Sequence, residues 1–297
     1  MEIRQLEYLL AVADEGSFTR ASARLGVAQS AVSHQIGKLE DEFGLRLLHR
    51  DRPAVRPTEI GAIFVGRVTR ALAELAAAKE EVLSLNGQTV GNVTFGATFP
   101  TGSLDVPAVL ARFRTHTPAV HVTLREGTTV ELLELVRTDV ADMAVVAGKL
   151  RDLPQSLEGV VVGHDDLVLA GPSGHHLEGL SQVPLRELNG EAMVGFRRGA
   201  GLRAAVDAVL AEEDVSVNIM IESNELPVLI GLVQHGHGLA VLPRRFLVGA
   251  PAKVWHRDLQ PRINPPLLLV WRRGRRYPPA AEEFLRFIVA EATRTGT

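Results

Sequence analysis

The chain contains no cysteine, which removes disulfides, a thiol nucleophile and any thiolate metal site. No run of eighteen apolar residues occurs, so no segment reads as a membrane-spanning helix. The first ten residues, MEIRQLEYLL, carry acids at helical spacing where a secretory leader would be basic and then uniformly apolar, so a cytoplasmic protein is expected. Positive charge is not in excess: the formal net charge is −3, which argues against a protein that coats nucleic acid over its whole surface. The common catalytic spacings are missing too. There is no phosphate-binding loop, and Gly171–Pro172–Ser173–Gly174–His175 breaks the last position of G-x-S-x-G. His164, His175, His176, His235 and His237 form no H-E-x-x-H or H-x-x-x-H pair. Surface or capping roles are expected for them, with no metal and no cofactor.

What is present is densest in residues 16–43, GSFTRASARLGVAQSAVSHQIGKLEDEF. Ser17 can cap a helix whose Phe18, Ala21 and Leu25 share one face, and Gly26 supplies the positive φ that ends it. A second amphipathic helix over about 29–42 buries Val32, Ile36, Leu39 and Phe43 and turns Ser30, Ser33, His34 and Gly37 outward, with Gln29 near its start and Lys38 at the margin. Two such helices about a Gly-containing turn are a helix-turn-helix, spanning about Phe18 to Gly37. The outward face can enter a major groove, where Gln and Ser can bond base edges; an ordinary solvated helix face is the plain alternative. Ile3, Leu6, Leu10 and Ala13 form a preceding apolar helix that can complete the core. Residues 45–58 hold Arg46, Arg50, Arg52 and Arg56 against the single acid Asp51, a hairpin able to track phosphates. Over residues 1–58 charge balances, eight basic side chains to eight acidic, so pairing of heads would add affinity.

These 58 residues resemble the winged helix-turn-helix of LysR-type transcriptional regulators, through the SFTRA helix, the AVSHQI segment, KLEDEFGLRLLHR and the PTEIG exit. The likeness extends over the full chain. It implies an α+β multidomain protein with an N-terminal winged helix-turn-helix over 1–58, a linker helix over 59–87 and a bilobed α/β regulatory domain over 88–297. That domain is similar to periplasmic binding proteins, with lobe I at about 91–162 and 267–292 and lobe II at about 163–266. The resemblance also implies a homotetramer built as a dimer of dimers, and RNA polymerase as a partner of an activator. Ser30 stands where the family often has Pro, His34 where Arg, Gln or Ser is frequent, and Gly37 weakens the helix by about 1 kcal/mol against Ala. The operator sequence is therefore not predictable.

Phe64, Val68, Ala71, Leu75, Ala78, Val82 and Leu85 alternate 4, 3 along the linker, a 3.5-residue repeat that predicts a dimerisation seam; a helix packed within its own domain would show a similar stripe. Pairing there sets two heads on a two-fold axis, as a partly palindromic duplex operator requires. From Asn92 the pattern becomes strand, helix, strand, helix, strand, which predicts parallel strands with helices on the faces. A second unit begins near Val160, and Leu267–Trp271 with Glu282–Ala292 return to the first.

Ligands of open α/β sheets lie beyond the carboxyl ends of strands. That rule selects Thr98, Phe99 and Thr101, then Thr128 and Thr129, then Phe196 and Arg197, then Glu225, positions where the resemblance also puts effector contacts. Hydroxyls near Arg and helix amides suit a small carboxylate or similar anion, although any one Ser or Thr can equally be a helix cap. Gly199–Ala200–Gly201–Leu202–Arg203–Ala204 with Glu222 mimics a dinucleotide fingerprint, but lies in mid-chain and not at a first βα turn. Gly236–His237–Gly238 reads as a turn needing positive φ, and Arg272, Arg273, Arg275 and Arg276 as a solvated strand end that could meet DNA or an acidic neighbour. Two other readings stay open on sequence. An enzyme with an accessory head lacks a nucleophile–base pair, and a transport-type binding protein lacks a leader.

Overall fold

A computed structural model of the chain describes residues 1–49, 54–84, 89–101, 103–249 and 252–295, and these divide into two compact units, Met1–Val82 and Leu83–Thr297. The first unit opens with three helices, α1 (Ile3–Glu15), α2 (Phe18–Leu25) and α3 (Gln29–Phe43). A short antiparallel hairpin follows, β1 (Leu48–His49) on β2 (Arg56–Pro57), and then α4 (Glu59–Ser84). Ser17 caps α2 by accepting the Arg20 amide, and Gly26 takes φ +66 at the turn. Leu6, Leu9, Val12, Ala21, Val32, Ile36 and Leu39 make the core. The predicted α1 stripe is corrected here: Ile3 is 54% exposed and Leu10 and Ala13 are half-buried, because the helix turns Leu6, Leu9 and Val12 inward instead. Phe43 is likewise exposed at the helix end, with its ring packed edge-on to Phe64 at 5.0 Å.

That contact also corrects the linker seam. Val68, 4% exposed, joins the core of the first unit and is not free to meet a second chain, and Phe64 packs half-buried against that core. Ala71 and Ala78 are exposed, with Leu75 54% and Val82 65% exposed. Leu85 and Gly87 lie outside the described residues.

The second unit holds two lobes. In lobe I, β3 (Gly91–Ala97) runs parallel to β4 (Val120–Glu126) and β5 (Met143–Ala147), with α5 (Val106–His116) and α6 (Thr129–Arg137) as crossovers, as expected. The sheet is completed by β6 (Leu157–His164) and by β13 (Pro266–Arg272), which lies antiparallel between β5 and β6. Leu267–Val270 are fully buried there, and Phe284 of α9 (Pro279–Thr295) seals one face against Phe95 and Phe113. Lobe II is less regular than its strand–helix alternation suggests. Antiparallel β7 (Leu167–Pro172), β11 (Ala240–Pro243) and β12 (Val254–Ile263) dominate, with β8 (Gln182–Pro184) parallel to β12 at one edge. A parallel pair, β9 (Ala192–Gly195) and β10 (Asn218–Glu222), joins through a Met193–Leu239 bridge, and α7 (Gly201–Glu212) and α8 (Leu226–Gln234) cover it. The chain crosses between lobes at 164–167 and 263–266.

Candidate functional site

In the first unit the α3 surface is arranged as its periodicity predicts. Gln29, Ser30, His34 and Lys38 are exposed, Ser33 and Gly37 are half-buried, and Val32 and Ile36 face the core. No large apolar side chain interrupts that outward face. Gly37 is not there for steric reasons, since a Cβ would meet nothing within 4 Å. Gly37→Ala should therefore stabilise the first unit by about 1 kcal/mol, read by thermal unfolding. A neutral or destabilising result would mean that the helix needs the missing side chain for a reason other than propensity.

Arg50 and Arg52 lie outside the described residues; Arg56 is exposed, paired with His49 across the hairpin. Arg46 is less free than its place in the Arg-rich run implies. Its guanidinium holds Glu40 at 2.9 Å, and Glu40, only 2% exposed, also accepts the Leu47 and Leu48 amides at 2.8 and 3.2 Å. This carboxylate fixes where the hairpin leaves α3. Nothing in the local pattern of Glu40, Asp41 and Glu42 marks the first of them for this role. Thr58 then caps α4 by accepting the Gly61 amide at 2.9 Å, as expected of the PTEIG exit.

In the second unit the predicted loops fall at strand ends, but most of their hydroxyls already have protein partners. Thr101 donates to the Leu104 carbonyl at 2.8 Å and Thr129 to the Ala147 carbonyl at 3.2 Å. Thr128 caps α6, accepting the Glu131 amide and donating to the Glu131 carboxylate. The Thr128 amide and hydroxyl, with a smaller pull from the Arg197 guanidinium, hold the Glu131 carboxyl below the ordinary carboxylate range. Thr98 is buried, its amide on the Val145 carbonyl, and Phe196 is buried in the lobe II core. Arg197 is exposed; its amide donates to Asn224 Oδ1 at 3.1 Å, which ties this loop to Ser223–Asn224–Glu225. Glu225 is exposed ahead of α8 and makes no side-chain cap bond.

The lobes meet where α6 and α7 begin. At Gly201 a Cβ would lie 2.1 Å from the Ala147 carbonyl oxygen and 2.6 Å from Thr129 Oγ1, so only glycine allows this approach. Ala147 of lobe I accordingly belongs to the apolar cluster of lobe II. Beside this contact is a recess of about 280 Å³, walled mainly by Val130, Leu133, Ala204 and Pro266, with Lys149 and Asp152 among its lining. Of the predicted effector residues only Thr129 lines it. The first turn of α7 has no side-chain cap.

Three further expectations are settled by contacts. Glu222, the would-be ribose acid, is engaged by Arg203 at 2.7 Å, and Arg203 also holds Asp207 and the Phe196 carbonyl. Gly236 and Gly238 take φ +78 and +139 around exposed His237, as the turn requires. The Arg272–Arg276 run is corrected: Arg272 and Arg275 turn back onto Asp139, and Arg275 also reaches Asp142 at 3.1 Å. Burial pushes the Asp142 carboxyl up, against the Thr94 amide and Arg275, which favour its charge. Arg273 and Arg276 are exposed. Sequence spacing also missed a cluster in lobe II, where His175, His176 and Glu191 each bring one possible ligand atom within 4.8 Å of the others. No helix among the described residues is long and apolar enough to cross a membrane.

Comparison with known proteins gives the same division. Residues 3–62 match the family model of bacterial regulatory helix-turn-helix proteins of the lysR family, and residues 86–293 match the LysR substrate binding domain. The HTH-type transcriptional regulator YnfL of Escherichia coli (strain K12) is 31% identical over 288 residues, 96% of each chain. Full-length CbnR complexed with its target DNA superposes with a TM-score of 0.71 at 22% identity, covering 99% of this chain and 100% of that one. The effector binding domain of QuiR in complex with shikimate superposes at 0.64 with 18% identity, covering 69% of this chain and 98% of that one. With a helix-turn-helix head and a substrate-binding domain each matched in its own unit, the chain belongs to the LysR family of DNA-binding transcriptional regulators, whose second domain receives an effector.

Proposed function

We propose that this regulator reads a partly palindromic operator as paired chains, through Gln29, Ser30, Ser33, His34 and Lys38 of α3 and through the Arg50, Arg52 and Arg56 wing. A small anion between the lobes sets the geometry of the pair. The observation that carries the reading is the α3 surface, with Gln29, Ser30, His34 and Lys38 exposed, Ser33 half-buried among them and no large apolar side chain on it. Pairing is supported by Ala71, Leu75, Ala78 and Val82, a heptad row left exposed after Phe64 and Val68 enter the head. A dimer of such dimers gives the tetramer. For the anion, exposed Arg197 and the first turn of α7, which has no side-chain cap, lie near the start of α6 and offer a guanidinium and helix amides. CbnR bound to DNA and QuiR bound to shikimate are in keeping with both halves. The effector is bound and released unchanged, and it acts by favouring one lobe arrangement over another.

Purified protein mixed with sheared genomic DNA, with and without small organic acids, should retain a few fragments sharing a two-fold motif, and an active acid should change that set. Equal retention of random duplex would reject the operator reading. Ser33→Ala should cost about 1–3 kcal/mol in affinity for a retained fragment while leaving random-duplex binding unchanged. An unchanged affinity removes Ser33 from the reading face.

A further inference from the structure

We propose that His175, His176 and Glu191 form a binding site for a borderline first-row divalent cation, of which Zn2+ suits the ligands best. His175 follows the turn after β7 and caps a short 3-10 helix that begins at His176, and Glu191 directly precedes β9, so the set is assembled from separate parts of lobe II. The imidazoles stack with centroids 4.5 Å apart and planes 29° apart. Each addresses a different oxygen of the one carboxylate: His175 Nε2 is 3.6 Å from Oε2 and His176 Nε2 is 3.4 Å from Oε1. These separations are long for hydrogen bonds, and close to the donor spacing that a small cation with bonds of about 2.0–2.2 Å draws together. Imidazole binds a metal ion through a ring nitrogen that carries no proton.

Two imidazoles and one carboxylate, with no thiolate in the chain, select Zn2+ or its neighbours over Mg2+ and Ca2+, which take oxygen ligands. His176 is 64% exposed and can move inward, while His175 and Glu191 are 19% and 24% exposed and better fixed. Two features oppose binding. The Leu177 amide donates to His175 Nδ1 at 3.3 Å, a bond that is given up if a cation takes Nε2 and the ring proton is then on Nδ1. The Arg257 guanidinium stands over the Trp255 ring, whose centroid is 6.1 Å from that of His175, and adds some repulsion. A cation here would lock the start of β9, the strand that leads to Phe196 and Arg197.

Trp255 provides a local reporter. Chelator-stripped, tag-free full-length protein at about pH 7.5 should bind one Zn2+ per chain by calorimetry, and Cu2+ should quench Trp255 fluorescence at the same stoichiometry. His176→Ala and Glu191→Gln should each weaken Zn2+ binding about ten-fold or more, and His176→Ala should relieve the quenching. His237→Ala, at an exposed turn elsewhere in the lobe, should change neither. Because His176 is a surface side chain, its loss leaves the fold intact, which circular dichroism checks. No Zn2+ uptake by the wild type, or equal uptake by the wild type and both ligand variants, would overturn the assignment.

Discussion

Glu40→Ala is expected to destabilise the head by about 3 kcal/mol, seen as a lower midpoint for its unfolding transition in the full-length protein. The Glu40 carboxylate accepts the amides of Leu47 and Leu48, both residues being 2% exposed, at the point where α3 gives way to the hairpin. Alanine would leave those donors buried with neither water nor acceptor, and would release the base of the wing. Glu40→Gln separates the two components of the effect. Its carbonyl oxygen can still receive an amide, while the charge pair with Arg46, a guanidinium 71% exposed and therefore well screened, is lost. The amide variant should stay within about 1 kcal/mol of the wild type. If the two variants were equally destabilised, charge rather than amide capping would be the source of the effect. If alanine cost less than about 1 kcal/mol, Glu40 would not be the hairpin's anchor.

Gly201→Ala is expected to force the lobes apart at the start of α7. The added carbon would overlap the Ala147 carbonyl oxygen, and Ala147 ends β5, a strand buried at every residue and unable to yield. Helix α7 must therefore lift away, at a cost near the top of the usual 1–3 kcal/mol for overpacking. A shift of about 1.4 kcal/mol between lobe arrangements is already ten-fold in population, so the response of DNA binding to an effector should fall by about that factor or more. Hydrogen exchange at Leu202 and Arg203 should quicken, while exchange in the head stays as it was. Gly148→Ala is the control, since a Cβ at this neighbouring position meets nothing within 4 Å. Wild-type stability and exchange in Gly201→Ala would show that the seam is not a tight contact.

The elements of the head were legible because their signals are local. A cap at Ser17, a positive-φ glycine at 26 and apolar residues three and four apart define two helices without reference to distant residues. The strands of lobe I were legible for a related reason: Met143–Ala147 and Leu267–Val270 are apolar runs buried at every residue, and Val93–Ala97 is buried except at Thr94. Strand β12 was not among the predicted strands, because VWHRDLQPRI has no clean apolar alternation and is held by pairing with β7 on one side and β8 on the other. The linker repeat was seen but its use was misread in part. A 3.5-residue period shows that one side of a helix is apolar, and the same period serves Phe64 and Val68 in their own head and Leu75 and Val82 on an exposed face.

Sequence by itself determined the helices of the head, the outward face of α3, the strand–helix order of lobe I and the strand ends selected for a ligand. Tertiary structure decided which side chains remain free there. It engaged the hydroxyls of Thr101, Thr128 and Thr129 with protein partners, buried Glu40 under two amides, turned Arg272 and Arg275 inward and gathered His175, His176 and Glu191. The physical reason is that periodicity and capping depend on neighbours within a few positions along the chain. Hydrogen bonds and close approaches such as Gly201 on Ala147 depend on distances that exist only after segments tens of residues apart have packed.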